Sequence, residues 1–102
     1  MASAFKNAKL DLTTTGATTL YTTPAAKTAI FKSILVSEDS GNADTVTATI
    51  TDASAAVFSL FKVKAVAANT AVELLSQPLI VETGEILKFT AATANRLHVV
   101  AS

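Results

Sequence analysis

From Thr45 to Thr51, Val46, Ala48 and Ile50 occupy every second position, and Thr45, Thr47, Thr49 and Thr51 fill the places between them. Successive side chains of a strand point to opposite faces, so this alternation predicts a half-buried strand with one wet face. Asp52-Ala53-Ser54 predicts a turn, and Val57 to Val63 returns as a second strand, making a β-hairpin. The pattern recurs near the end of the chain. Leu87, Phe89 and Ala91 share one face of a predicted strand over Ile86 to Ala91, and Leu97, Val99 and Ala101 share one over Leu97 to Ala101.

The remaining segments are shorter. Lys9 to Leu12 predicts a first strand, Thr13-Thr14-Thr15-Gly16 a turn, and Thr18 to Thr22 an extended segment. Pro24 ends that segment by holding Thr23 in the β or polyproline region. Thr28 to Ser37 reads as a buried strand whose centre, Ile30 to Val36, is apolar on both faces, as a central strand of a sandwich would be. The polar run Ser37 to Asp44 then predicts a turn, with Gly41 and Asn42 supplying backbone freedom. Ala65 to Ala71 reads as a loop centred on Asn69, and Val72 to Leu75 as a short strand broken at Gln77-Pro78. Leu79-Ile80-Val81 leads into a turn at Glu82-Thr83-Gly84-Glu85.

No segment holds a 3.6-residue period, and no repeat of fixed length is evident. About eight short strands with closely spaced turn signals predict an all-β fold: a single antiparallel β-sandwich, jelly-roll or immunoglobulin-like. Both strand orders produce the same alternation. Residues 1–8 read as an N-terminal arm or edge strand and residues 9–102 as the sandwich domain. Phe5 is the one large apolar residue of the arm after Met1. It could anchor to a neighbouring chain or fold back onto its own core.

Composition strengthens the strand assignment. Thr, Val and Ile supply 30 of 102 residues, 16 of them Thr. Side chains branched at Cβ are stiff and pack well on a pleated surface. Leu, Ile, Val and Phe supply 29 residues, enough for a folded core, but much of the other apolar content is Ala, which adds little burial energy. Contacts with other chains are therefore expected to contribute to stability. Eight basic and eight acidic residues balance, with no basic stripe to follow phosphates, so no nucleic-acid partner is expected. Neither a secretory signal nor a membrane-spanning stretch is visible. The chain reads as made, and remaining soluble, in the cytoplasm unless it leaves as part of something larger.

Candidate chemistry is sparse. The chain has no Cys, which removes disulfides, thiolate ligands and Cys nucleophiles together. His98 is the single histidine, out of phase with Leu97 and Val99. It is a general-base candidate, or a residue on the rim of a sheet. Glu38, Asp39 and Asp44 offer oxygen ligands for calcium, but not at EF-hand spacing, and a solvated hairpin loop accounts for them. No Ser lies in a nucleophile elbow, and Gly16, Gly41 and Gly84 each fall singly in a predicted turn. Phe31, Phe58, Phe61 and Phe89 read as core, Tyr21 as a residue that pins a turn, and Lys62 and Lys64 beside Phe61 as a weak stacking platform. No catalytic, metal or cofactor site is expected, and the chain is read as no enzyme.

The run Leu20-Tyr21-Thr22-Thr23-Pro24-Ala25-Ala26-Lys27-Thr28-Ala29-Ile30 precedes Ser33 to Ser37 and the hairpin Asp44 to Asp52. Then come Val66 to Thr70, Glu73-Leu74-Leu75, Pro78-Leu79 and Glu82 to Lys88. This order, over residues 18 to 101, resembles small β-sandwich virion proteins of tailed bacteriophages. In those, a segment of tyrosine, proline, a small residue and lysine or threonine leads into a core strand, and an acid–small–glycine–acid turn comes near the end. The chain departs from that pattern at Ala26, where glycine often stands before the lysine.

The resemblance implies a structural protein of the phage virion. Foremost is a capsid decoration (cement) protein bound to the major capsid protein or other virion proteins, as a homo-oligomer with a trimer favoured. The alternatives are a tail, fibre-base or head–tail adaptor component and, from another class, a carbohydrate- or cell-surface-binding module. One Tyr and no Trp count against sugar platforms.

Overall fold

The structure is a computed structural model and describes residues 7–102. The arm, including Phe5, lies mostly outside the described residues. Ten strands form among them: β1 (Ala8–Asp11), β2 (Thr18–Thr22), β3 (Ala29–Phe31), β4 (Ile34–Glu38), β5 (Asp44–Thr51), β6 (Val57–Val66), β7 (Ala71–Glu73), β8 (Leu79–Val81), β9 (Ile86–Ala91) and β10 (Leu97–Ala101). No helix is present among the described residues.

The strands pair in a nested order. β1 pairs with β10, β2 with β9, β3 with β8, β4 with β7, and β5 with β6, all antiparallel. The chain is thus one long hairpin closed at Asp52–Ala56 and rolled up. Rolling adds the pairings β10–β4 and β9–β5, which give the sheets β1-β10-β4-β7 and β2-β9-β5-β6, with β3-β8 as a separate pair. Between the two sandwich orders that share this alternation, the nested pairing defines the jelly roll.

One core lies between the sheets. β5 contributes Val46, Ala48 and Ile50, β9 contributes Leu87, Phe89 and Ala91, and β10 contributes Leu97, Val99 and Ala101, all as their alternation requires. Volumes are matched across the ladder. Phe89, fully buried, stands opposite Ala48, while Ile50 faces Leu87 and Val46 faces Ala91. Two of these three pairs set an Ala against a larger side chain, the kind of interdigitation a close-packed core uses. Each fully buried Leu, Val or Phe contributes about 1.5–3 kcal/mol.

The segment from Thr28 to Ser37 departs from its reading as one continuous strand buried on both faces. It divides at Lys32-Ser33 into β3 and β4. The two-residue corner resets the alternation, so Phe31 and Ile34 both enter the core while Ile30 (59% exposed) and Leu35 (39%) face out. The C-terminus holds the corner. The Ser102 carbonyl accepts from Lys32 N–H at 2.7 Å and Ser33 N–H at 3.1 Å, and Ser102 N–H donates to the Ser33 carbonyl at 2.9 Å.

Two smaller departures follow from the rolled hairpin. Leu79-Ile80-Val81, read only as a lead-in to a turn, is β8, recruited by pairing with β3. Phe58, read as core, is 56% exposed. It is the second residue of the ten-residue edge strand β6, whose counterpart at the edge of the other sheet, β7, has only three residues. Tyr21 packs edge-on against Phe31, with ring centroids 5.6 Å apart. The turn before Lys27 closes through Lys27 N–H donating to the Pro24 carbonyl at 3.3 Å, and Ala26 takes the left-handed conformation (φ 59°) that glycine adopts without strain.

Phe31→Ala is expected to lose about 3–5 kcal/mol in urea unfolding, whereas Phe58→Ala loses less than about 1 kcal/mol. Equal losses would contradict the division of this chain into a filled core and an uncovered edge.

Candidate functional site

His98 lies on the outer face of the sheet β1-β10-β4-β7, between the strands that pair with β10 on either side. Register places Asp11 opposite it on β1 and Ser37 opposite it on β4. The ring Nε2 is 3.3 Å from Asp11 Oδ1, and Nδ1 is 3.7 Å from Asp39 Oδ2. Both nitrogens therefore face carboxylates. No hydrogen bond joins Ser37 to the ring among the described residues, so no nucleophile–base pair is assembled. All three members of the group are partly exposed, which makes it a solvated ionic contact worth little to stability.

The acidic loop is not the solvated one expected from sequence. Glu38 is 2% exposed and Asp44 is also buried, whereas Asp39 is exposed. Glu38 follows Ile34 and Val36 in the alternation of β4, so its side chain starts on the core side and turns under the loop. Oε1 accepts from the backbone N–H groups of Gly41 and Asn69, each at 3.1 Å. Oε2 accepts from Ser40 N–H at 2.8 Å and from the Ser40 hydroxyl. Asp44 Oδ2 accepts from Thr93 N–H at 3.0 Å. The Glu38 oxygens are thus engaged by protein donors, and no group of three or more metal-binding side chains occurs among the described residues.

Burial raises the Glu38 carboxyl, but the donated hydrogen bonds from Ser40, Asn69 and Gly41 outweigh it and bring the group from 4.5 to about 2. Glu73 does the same work at the β3–β4 corner, and no local signal in the sequence marks it. Its carboxylate accepts from the Ser33 hydroxyl, from Ile34 N–H at 2.8 Å and from Leu75 N–H at 3.1 Å. Its pKa is also lowered, burial being outweighed by the bonds from Ser33, Ile34 and Leu75. Ser33 and Ile34 are some forty positions away in the chain. A local reading of the sequence could not pair them.

What the surface offers is apolar. Ile30 and Ile80 stand directly opposite each other on the outer face of β3-β8, 59% and 57% exposed. Val57, Phe58 and Val63 are exposed along β6. The second half of that edge is blunted. Val63 has φ 55° in an irregular stretch of the β5–β6 ladder, where its N–H donates to Thr47 Oγ1 at 3.0 Å, and Lys62 and Lys64 flank it exposed. Bulges and lysines are the devices by which edge strands resist indiscriminate pairing. The stacking platform read from Lys62, Lys64 and Phe61 is not assembled, because Phe61 packs against the core.

Two open grooves accompany these residues. One, of about 220 Å³, lies between β6 (Leu60, Phe61) and the segment Leu74 to Leu79. The other, of about 320 Å³, lies where β1, β2, β3 and the C-terminus meet, and its lining includes Asn7, Tyr21, Ile30 and Phe31. Comparison of the chain with protein families, curated proteins and solved structures finds no match.

The Glu38 carboxylate contributes stability that is complete above its ordinary value of 4.5 and is lost as pH falls through about 2. Acid unfolding of the native chain is therefore expected to steepen across that window. Glu38→Gln is expected to be less stable at neutral pH and to show a flatter decline there. An unchanged pH profile in circular dichroism would remove the carboxylate from its place under the loop.

Proposed function

We propose that the chain is a structural protein of a bacteriophage virion, a decoration protein that binds the outside of the capsid and acts through contact alone. The observation that carries this reading is an apolar exterior, at Ile30, Ile80, Val57 and Phe58, on a jelly roll whose polar clusters are spent on holding its own loops. Exposed apolar residues lose little by staying wet one at a time, but a lattice seam that buries them gains about 25 cal/mol per Å². Repeated over a shell, a small gain per copy becomes a large one for the particle. The order of turn and core motifs over residues 18 to 101 supplies the virion context. Jelly rolls serve in capsid proteins and also in lectins, so the fold alone does not choose between them. Against the sugar-binding alternative, the single Tyr ring is engaged with Phe31 and offers no free platform.

The copy number of the chain in purified particles, relative to the major shell protein, tests this directly. A ratio near one, or a simple fraction held across the shell, is the expected result. A small fixed number of copies would move the protein to the tail, connector or fibres, and absence from particles would end the virion reading. His98→Ala is expected to enter particles at the native ratio, since the His98–Asp11–Asp39 contact is read as a surface feature of the sheet. A loss would bring the ring back as a functional group.

A further inference from the structure

β6 ends the sheet β2-β9-β5-β6 and has no strand on its outer side. The turn before it fixes which backbone groups are open there. Asp52 N–H donates to the Ala56 carbonyl at 2.9 Å, so Asp52 and Ala56 form a bonded pair. Bonded and non-bonded pairs alternate in an antiparallel ladder, which makes Thr51–Val57 and Thr49–Ser59 the non-bonded ones. The N–H and C=O groups of Val57 and Ser59 therefore point away from β5, out of the edge. Phe58, between them, stands opposite the buried Ile50 and so on the core side of the sheet, yet it is 56% exposed. Leu60, next along the same face, lines the mostly apolar groove of about 220 Å³ between β6 and Leu74 to Leu79, and Phe58 is no part of that lining. Open edge, uncovered ring and groove thus lie side by side. Lys62 and Lys64 follow, exposed and without an ion pair among the described residues.

This edge is complementary to itself. Val57-Phe58-Ser59-Leu60-Phe61 carries apolar residues on both sides of Ser59, so a second β6 laid antiparallel about a two-fold axis at Ser59 meets apolar with apolar. The axis sets Ser59 opposite Ser59, where the N–H and carbonyl groups of both copies already point outward. It sets Phe58 of each copy opposite Leu60 of the other, on the core side, at the mouth of that groove. It also brings Lys62 and Lys64 alongside the other copy's turn from Asp52 to Ala56, which carries the Asp52 carboxylate. We propose that the chain pairs with a second copy of itself through β6, joining two four-stranded sheets into one, with Phe58 of each copy seated in the other's groove. The ladder is regular from Val57 to Ser59 and irregular beyond, and the positive φ of Val63 ends the pairing there. A contact that uses the same edge on both copies closes at two. The inference stands apart from the virion reading and gives a two-fold dimer in place of the trimer that the resemblance implies.

The chain has no native Cys, so Ser59→Cys places one thiol of each copy beside the axis. Facing residues of a bonded pair are about 5.5 Å apart at Cα, within disulfide reach. Mild oxidation is expected to link Ser59→Cys into dimers at least about tenfold faster than Thr49→Cys, whose thiol would lie three strand spacings, about 14 Å, from its counterpart. Light scattering of the native chain is expected to rise with concentration to twice the 10.5 kDa single-chain mass. The urea midpoint is expected to rise with it, while in the single chain Phe58 stays uncovered as described above. Ser59→Pro removes an outward N–H without touching the ladder to β5, a place where an edge strand accepts proline. It is expected to keep the native circular dichroism and to stay at 10.5 kDa. Lys62→Glu combined with Lys64→Glu, which alters only exposed side chains, is expected to weaken the dimer about tenfold. A native chain that stays at 10.5 kDa at every concentration would overturn the proposal and leave the edge to a strand of a different protein. So would a dimer that these substitutions leave intact, or one that Thr49→Cys links as readily. None of these results bears on copy number in particles, so failure here and failure of the virion reading are told apart.

Discussion

The last strand lies between the first and the fourth, and the rest of the sandwich depends on that placement. β10 puts Leu97, Val99 and Ala101 into the core with no exposure, pairs with β1 on one side and β4 on the other, and ends at the Ser102 bonds that hold the β3–β4 corner. Its partners begin at Ala8 and Ile34, so these pairings span most of the chain. Non-local closure of this kind carries a high loop entropy before any contact rewards it, which makes all-β sandwiches slow to fold. The reward is that the first and last strands, β1 and β10, are locked side by side.

Where the ladder breaks, carboxylates take over. Glu38 gathers the N–H groups of a loop, and Glu73 gathers those of a corner. Buried backbone donors left without partners would each cost about 1–3 kcal/mol. One ionised side chain that satisfies two or three of them replaces a stretch of missing sheet. This explains why a chain with so few charges buries Glu38 beneath a loop and ties the exposed Glu73 to a corner. A like economy appears at β6, where a bulge and two lysines blunt half of an edge and leave Val57 and Phe58 uncovered in the other half.

Much of this was legible in the chain itself. β2, β9 and β10 have the bounds read from sequence, and the β5–β6 hairpin is where alternation placed it. The core residues of β5, β9 and β10 follow from period two alone, because a strand packed on one face has only one phase that buries Val46, Leu87 or Val99. Where two strands meet at a corner, the rule failed. The run Ile30 to Val36 is apolar on both faces apart from Lys32-Ser33, and period two alone does not show that this pair resets the phase and turns Ile30 and Leu35 outward. Glu38 did carry a signal, its place two residues after Val36, but its polarity outweighed its phase. The aromatic at Phe58 obeyed the pattern and still lies exposed, because burial also needs a strand on the opposite side.

The sequence by itself determined that the chain is all-β, which residues of each regular strand face inward, and that thiolate chemistry is absent. These are properties of neighbours along the chain: alternation, branching at Cβ, turn residues and composition. Tertiary structure alone decided the jelly-roll order over the immunoglobulin-like one, since both satisfy the same alternation and differ only in which distant strands pair. It also decided that Glu73 would serve Ser33 and Ile34, and that Asp11 and Asp39 would stand at the two nitrogens of His98. Each of these joins residues far apart in the chain, and only the closing of the sheets brings them within reach.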